Sequence, residues 1–207
     1  MSHRAWIRLP SGRHLDLIHP DPEGFSDADL AMRLARTYRW GGESLAPLPL
    51  SVAQHSLLVL ALRRSMLGPP LSADEALCEL LHDAEEGFLG FDCISPLKPV
   101  LGEAFAELSQ RLWQCIVQRY RLKPWSVEGH RLHKQADVSA AAGEALHTVG
   151  WSRDEIRDVL GITSEPPASD PLAAVYGGVP WQPWPADVAA ERFLHELAAL
   201  KRERGLS

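Results

Sequence analysis

A histidine beside an aspartate in an apolar run constrains this chain more than any other feature. His82-Asp83 follow Ala76-Leu77-Cys78-Glu79-Leu80-Leu81, a run that reads as a buried helix. A buried imidazole or carboxylate is costly unless a partner satisfies it, and a divalent metal ion would do so. Two more ligand-type residues sit at the edges of apolar helical stretches: His55 in Ser51-Val52-Ala53-Gln54-His55-Ser56, and Asp137 in His133-Lys134-Gln135-Ala136-Asp137. Each has an ordinary structural role open to it. His55 could be a hydrogen-bonded core residue, Asp83 a turn cap, and Asp137 the partner of Lys134 one turn away. Four such residues together favour one metal ion held by His55, His82, Asp83 and Asp137.

The chain has 207 residues and 45% hydrophobic content, which predicts a single domain over 1–207 with a substantial core. A net charge of −6 leaves no broad basic surface, so a nucleic-acid polymer is not an expected partner. A small nucleotide remains compatible, because a metal and a few local cations can hold one phosphate. Cys78, Cys93 and Cys115 show no C-x-x-C spacing, and their odd number excludes a complete disulfide framework. Cys78 and Cys115 are expected in the core. The start, Met1-Ser2-His3-Arg4-Ala5-Trp6, has no apolar leader, and no apolar stretch approaches the ~20 residues that span a bilayer. The expected setting is cytoplasmic, with no membrane partner.

Patterning predicts an all-α fold behind a short β-hairpin. Residues 5–9 and 13–18 flank Pro10-Ser11-Gly12 and form the hairpin of an N-terminal segment 1–22. Ser26 or Asp27 caps a helix to about Arg36, and Ser51 caps one carrying His55. Ser72-Ala73-Asp74-Glu75 is a capping-box pattern that opens the helix expected to bear His82 and Asp83, ending at Gly87 to Gly90. The longest helix is expected over 100–121, on Leu101, Phe105, Leu108, Leu112, Cys115 and Ile116; its apolar face is compatible with a homodimer or with core. Another helix runs from about 127 to about 146 with Asp137 in its middle, and Ser152 caps a short one to Leu160. The segment 163–207 begins with a Pro/Gly/Trp-rich stretch, 163–187, read as an ordered wrap in which Val175, Tyr176, Trp181 and Trp184 cover core. A last helix follows from Pro185-Ala186-Asp187.

The order His…His-Asp…Asp resembles that of the HD phosphohydrolase superfamily. Arg39-Trp40, Gln54-His55-Ser56, His82-Asp83-Ala84-Glu85-Glu86 and Lys134-Gln135-Ala136-Asp137 look like the bacterial HD-type 5′-deoxynucleotidases. The runs Leu9-Pro10-Ser11-Gly12-Arg13, Ser-Val-Ala-Gln-His-Ser and Pro96-Leu97-Lys98 look like related bacterial and phage enzymes, among them deoxynucleoside triphosphate triphosphohydrolases. The resemblance spans about residues 7–145 and implies an HD-domain helical bundle. Three departures stand out. Gln54 replaces the usual Glu, the loop between Glu86 and Asp92 is one residue longer, and the segment from about 163 has no counterpart.

That resemblance implies a metal-dependent 5′-nucleotidase acting on deoxynucleoside 5′-monophosphates. The alternatives are a triphosphohydrolase releasing tripolyphosphate and a non-catalytic nucleotide-sensing module. The ion would be Mn, Co, Fe, Ni, Zn or Mg, which the donor types do not separate. By resemblance Glu86 is the general acid or base, one turn past His82 on the same expected helix face, and Asp92 is a second candidate. Arg39 offers a planar fork for phosphate oxygens, with Lys98 and Lys134 as point-charge alternatives. Trp40 is either a core aromatic or, by resemblance, a pocket residue that crowds a ribose 2′-hydroxyl.

Overall fold

The chain is described by a computed structural model over residues 4–67 and 70–205. Residues 1–3 of the N-terminal segment and 206–207 of the C-terminal one lie outside the described residues.

The fold is mostly helical behind a two-stranded antiparallel hairpin, β1 (Trp6–Arg8) and β2 (His14–Asp16). Ile7 pairs with Leu15, whose side chain is buried. The hairpin turn is fastened to the first helix by Asp29, which accepts from the Ser11 backbone N–H (2.8 Å) and hydroxyl (3.0 Å). That helix, α1 (Asp27–Ala35), starts in a complete Ser26–Asp29 capping box.

The central element is α2 (Val52–Ser65), capped by Ser51, in which every residue from Val52 to Leu60 is buried. A helix apolar on nearly all sides must be enclosed by others. Here α1, α3 (Ala73–Leu81), α7 (Val127–Glu144), α9 (Pro171–Tyr176) and α10 (Ala186–Glu203) all pack against it. One contiguous apolar cluster runs from Leu9 of the hairpin to Leu200 of α10. Cys78 and Cys115 lie in it as free thiols, and Cys93 is buried as well. Among the described residues no helix is long and apolar enough to cross a membrane.

Three expectations are corrected. Helix α3 ends at Leu81, so His82 and Asp83 occupy a turn between α3 and the short α4 (Glu86–Leu89). Bonds from Ala84 N–H to Leu81 O (3.0 Å) and from Glu86 N–H to Asp83 O (3.1 Å) tighten the chain to an i+3 pattern there. Tighter winding rotates Glu86 away from the face it would share with His82 on an uninterrupted helix. The helix expected over 100–121 is two, α5 (Lys98–Leu101) and α6 (Glu103–Tyr120), split at Gly102. Its φ of 79° and ψ of −171° are open only to glycine, and Leu101 is left exposed. Val175 is also exposed and covers no core.

The rest of the wrap is ordered by specific contacts. After α8 (Arg153–Asp158), Asp170 caps α9 through Leu172 N–H (2.8 Å) and takes Trp181 N–H at 2.7 Å. Arg192 of α10 lies over the rings of Trp184 (4.0 Å) and Tyr176 (4.8 Å). The Trp181 ring passes so close to α7 that a Cβ on Gly143 would stand 2.5 Å and 2.8 Å from its carbons. Glycine in a helix interior costs ~1 kcal/mol relative to alanine, so the close approach explains its presence. Gly143→Ala should therefore destabilise by ~1–2 kcal/mol net, the clash outweighing the gain in helix propensity. Urea denaturation decides it; a variant more stable than wild type would place Trp181 elsewhere.

Candidate metal centre

Three elements bring the four expected ligands together. His55 comes from the first turns of α2, His82 and Asp83 from the turn after α3, and Asp137 from the middle of α7. His82 Nε2 lies 3.1 Å from Asp83 Oδ2, and His55 Nε2 lies 3.7 Å from the same oxygen and 3.4 Å from Asp137 Oδ1. Ligand atoms of His55, His82 and Asp137 all fall within 4.8 Å of one another. Donors ~2.1 Å from one ion stand ~3.0–3.4 Å apart when adjacent, so these spacings suit a shared cation.

The tautomers suit it too. His55 Nδ1 meets Glu144 Oε1 at 2.6 Å, and His82 Nδ1 meets the Glu79 backbone carbonyl at 2.8 Å. A carbonyl can only accept, so His82 Nδ1 carries a proton, and in the neutral ring Nε2 then presents its lone pair. The end of α3 makes this possible, because last-turn carbonyls of a helix lack intrahelical donors. Both Nε2 atoms are buried without a hydrogen bond. Buried imidazole nitrogens are otherwise paired, and orientation of the ligating nitrogen by a bond from the other is the habit of metal-bound histidine.

Charge points the same way. Asp83, Glu85, Glu86, Asp92, Asp137 and Glu144 gather against Arg39, Lys98 and Lys134. Burial and the Arg39 charge lower the pKa of His55, but Glu144 and Asp137 outweigh them and hold it up at about 9, so the carboxylates call for a positive charge at this ring, which a proton on Nε2 or a cation in its place would supply. Burial pushes the Glu86 carboxyl up to about 10, reinforced by Asp83 and Asp92. Burial, with Asp83 adding to it, lifts Glu85 to about 7.

The substrate-side candidates line one edge of this cluster. Arg39 donates from Nε to Glu144 at 2.9 Å, while its Nη1 stays 3.6 Å from Asp92 and 4.0 Å from Asp83. Trp40 is half-buried but does not join the apolar core; its indole N–H donates to Glu144 at 3.0 Å. Its φ of +57° is uncommon outside glycine and costs on the order of 1–2 kcal/mol. Glu86 is buried, with Lys98 Nζ 3.9 Å from Oε1. Lys134 is half-exposed, 3.3 Å from Asp137 Oδ2, so Asp137 serves both Lys134 and the histidine cluster through different oxygens.

Sequence reasoning missed the supporting roles of Glu144, Glu79 and His133, and noted Gln54 only as a departure from the resembling enzymes. Glu144 stands two helical turns after Asp137 on α7, and its signal is a lone carboxylate in Ala140-Ala141-Ala142-Gly143-Glu144-Ala145. Glu79 interrupts the apolar run before His82; fully buried, it accepts from Arg63 Nε (3.1 Å) and pairs with His133 Nδ1 (2.7 Å). The His133 ring lies 4.9 Å from that of His82 and stacks on Trp125 at 4.3 Å, backing His82 from behind. Gln54, beside His55, clasps the wrap: Nε2 donates to Gln182 O at 3.0 Å, and Oε1 accepts from Trp184 N–H at 2.8 Å. A glutamate there would turn an acceptor toward the Gln182 carbonyl, so the amide at this position and the wrap belong together.

No family model matches the sequence. A protein of Rhodobacter capsulatus described as uncharacterized is 38% identical to it over 161 residues, covering 76% of this chain and 80% of that one.

Two outcomes test the centre. His82→Ala should abolish retained metal while circular dichroism shows the helices intact; wild-type metal content by elemental analysis would remove His82 from the ligand set. Gln54→Glu should cost ~1–3 kcal/mol, the usual penalty for a buried polar group without its partner. It should also expose residues 163–185 to limited proteolysis, and an unchanged cleavage pattern would break the link to the wrap.

Proposed function

We propose that this chain, which belongs to the same family as the uncharacterized Rhodobacter capsulatus protein, is a metal-dependent phosphohydrolase of the HD type acting on small nucleotides. One observation carries the reading. Two buried imidazole nitrogens, each oriented by a bond from the opposite ring nitrogen, face two carboxylates and make no hydrogen bond. His55, His82, Asp83 and Asp137 would hold one divalent ion. Such an ion supplies Lewis acidity, making a water more acidic and offsetting charge on a phosphoryl oxygen.

The chain's own residues supply the rest. Glu86, with its pKa near 10, keeps a proton at neutral pH on a carboxyl buried beside Asp83. A carboxylic acid in that state donates to a leaving oxygen, as a general acid must. Asp92 stays close to the Arg39 guanidinium and serves to hold it. Arg39 has Nε bound to Glu144 and an outer edge that makes no hydrogen bond among the described residues, which suits a phosphate oxygen. By the resemblance of Arg39-Trp40 to the deoxynucleotidases, Trp40 is placed to crowd a 2′-hydroxyl.

Local charge favours a monophosphate over a triphosphate. Six carboxyl groups surround the site, most of them ionised, and only three cations reach it, two of them at its rim. A triphosphate chain would add negative charge with no further lysine or arginine to meet it.

Metal-supplemented protein should release inorganic phosphate from deoxynucleoside monophosphates, in a panel of mono- and triphosphates, ribo and deoxy. Tripolyphosphate release would shift the assignment to the triphosphate, and no turnover of any nucleotide would sink it. Glu86→Gln should keep the metal and lose ~10²–10⁴-fold in kcat. Near wild-type kcat would make Glu86 a structural carboxyl. Trp40→Ala should narrow the gap in kcat/KM between matched deoxy and ribo substrates; an unchanged ratio leaves sugar selectivity to other residues.

A further inference from the structure

One buried carboxylate joins the two sides of the site. Glu144 is 1% exposed, and three donors from two other elements reach it. Oε1 takes His55 Nδ1 at 2.6 Å, while Oε2 takes both Arg39 Nε at 2.9 Å and Trp40 Nε1 at 3.0 Å. Burying a carboxylate this completely demands partners, but a single arginine could supply them through a bidentate pair. Instead only the Nε edge of Arg39 is used, and the second acceptor site on Oε2 goes to an indole. Against its burial, Arg39, His55 and those bonds hold the Glu144 carboxyl below the usual carboxylate range.

The backbone it meets is strained at Trp40, although the turn also has its own bonds, from Gly42 N–H to Arg39 O (2.9 Å) and from Glu43 N–H to Trp40 O (3.1 Å). Trp40, Gly41 and Gly42 have φ of +57°, +63° and +87° in succession. Glycine adopts such angles freely, and tryptophan does not. Gly41 and Gly42 have open space where a side chain would stand, so no close packing dictates the turn. The indole N–H bond to Glu144 is the hydrogen bond the Trp40 side chain makes, and strain of this kind persists only where the surroundings over-determine it.

We propose that Glu144 is a positioning residue for substrate selection. It fixes the Arg39 guanidinium and the Trp40 indole in one register against the His55 imidazole, so the phosphate-facing and sugar-facing side chains keep a constant relation to the ligand cluster. What those side chains recognise rests on the phosphohydrolase reading; the geometric claim does not. The fold assigns this role through α7, whose Asp137 faces the cluster two turns before Glu144.

Glu144→Gln tests it with little change of shape. The amide oxygen can still accept from His55 Nδ1, but the amide N–H₂ then confronts two donors, Arg39 Nε–H and Trp40 Nε1–H. Bound metal should persist. KM for the best monophosphate should rise ~10–100-fold, the worth of a charge-assisted contact, with kcat changing far less and the deoxy-over-ribo ratio collapsing. A merely structural carboxylate would lower stability and leave that ratio where it was. The second readout needs no substrate: the Trp40 indole N–H resonance, identified by its loss in Trp40→Phe, should move in Glu144→Gln. An unmoved resonance, or an unchanged ratio, overturns the proposal. If no nucleotide is turned over, the functional reading fails while the resonance still decides this one. If Glu144→Gln does not fold, Arg39→Lys removes the donor that shares Oε2 and should move the same resonance, and an unmoved signal there is equally fatal.

Discussion

An excess of buried negative charge around two imidazoles governs this structure. The bundle encloses carboxyl groups from a loop, the turn after α3, α4 and α7 beside the helix α2, which is buried from Val52 to Leu60. Desolvated carboxylates in such numbers are tolerated only when cations and hydrogen bonds meet them. Arg39 meets Asp83, Asp92 and Glu144, His55 meets Asp137, and burial raises the pKa of Glu86 and Glu85, which favours their uncharged forms. Each supporting contact has a counterpart in that balance. Glu144 holds His55, a helix-end carbonyl holds His82, and Glu79 with His133 packs behind them.

The helical elements are readable in the sequence because each has a local cause. Ser26, Ser72 and Ser152 form full capping boxes with the acidic residue three positions on, and Ser51 and Ser126 cap the helices that carry His55 and Asp137. The convergence of His55, His82, Asp83 and Asp137 is readable for a different reason: polar residues at the edges of apolar helices need one another. The break after Leu81 leaves no such mark. His82 and Glu85 keep right-handed helical dihedrals, no glycine or proline intervenes, and the change is only in which carbonyl each N–H selects. The split at Gly102 has a signal in the glycine itself, which the apolar periodicity of 100–121 overrides.

The supporting shell is harder to read because its members look like surface residues. Glu144 and Glu79 are ordinary helix formers, and only three-dimensional burial shows that neither reaches water. Gln54 is legible as a departure from a resembling family, yet the departure has no meaning until the Gln182 carbonyl and the Trp184 N–H are seen on either side of its amide. The wrap and the ligand helix are one device, and Trp181 against Gly143 is its second fastening.

The pairing of α1 with α10 bears on how the molecule is made. The first helix of the chain packs most extensively against the last, and α10 also covers α2 and α3. Contacts this distant in sequence form only after a long loop has closed, which slows folding and leaves apolar faces open meanwhile. On the ribosome, α1, α2 and α3 emerge with their shared face bare and wait for well over a hundred further residues before α10 can close it. The clasp on Gln54 arrives equally late. A nascent chain of this protein therefore carries an unfinished histidine–carboxylate cluster and an apolar helical half through much of its synthesis, the condition in which growing chains are most open to aggregation.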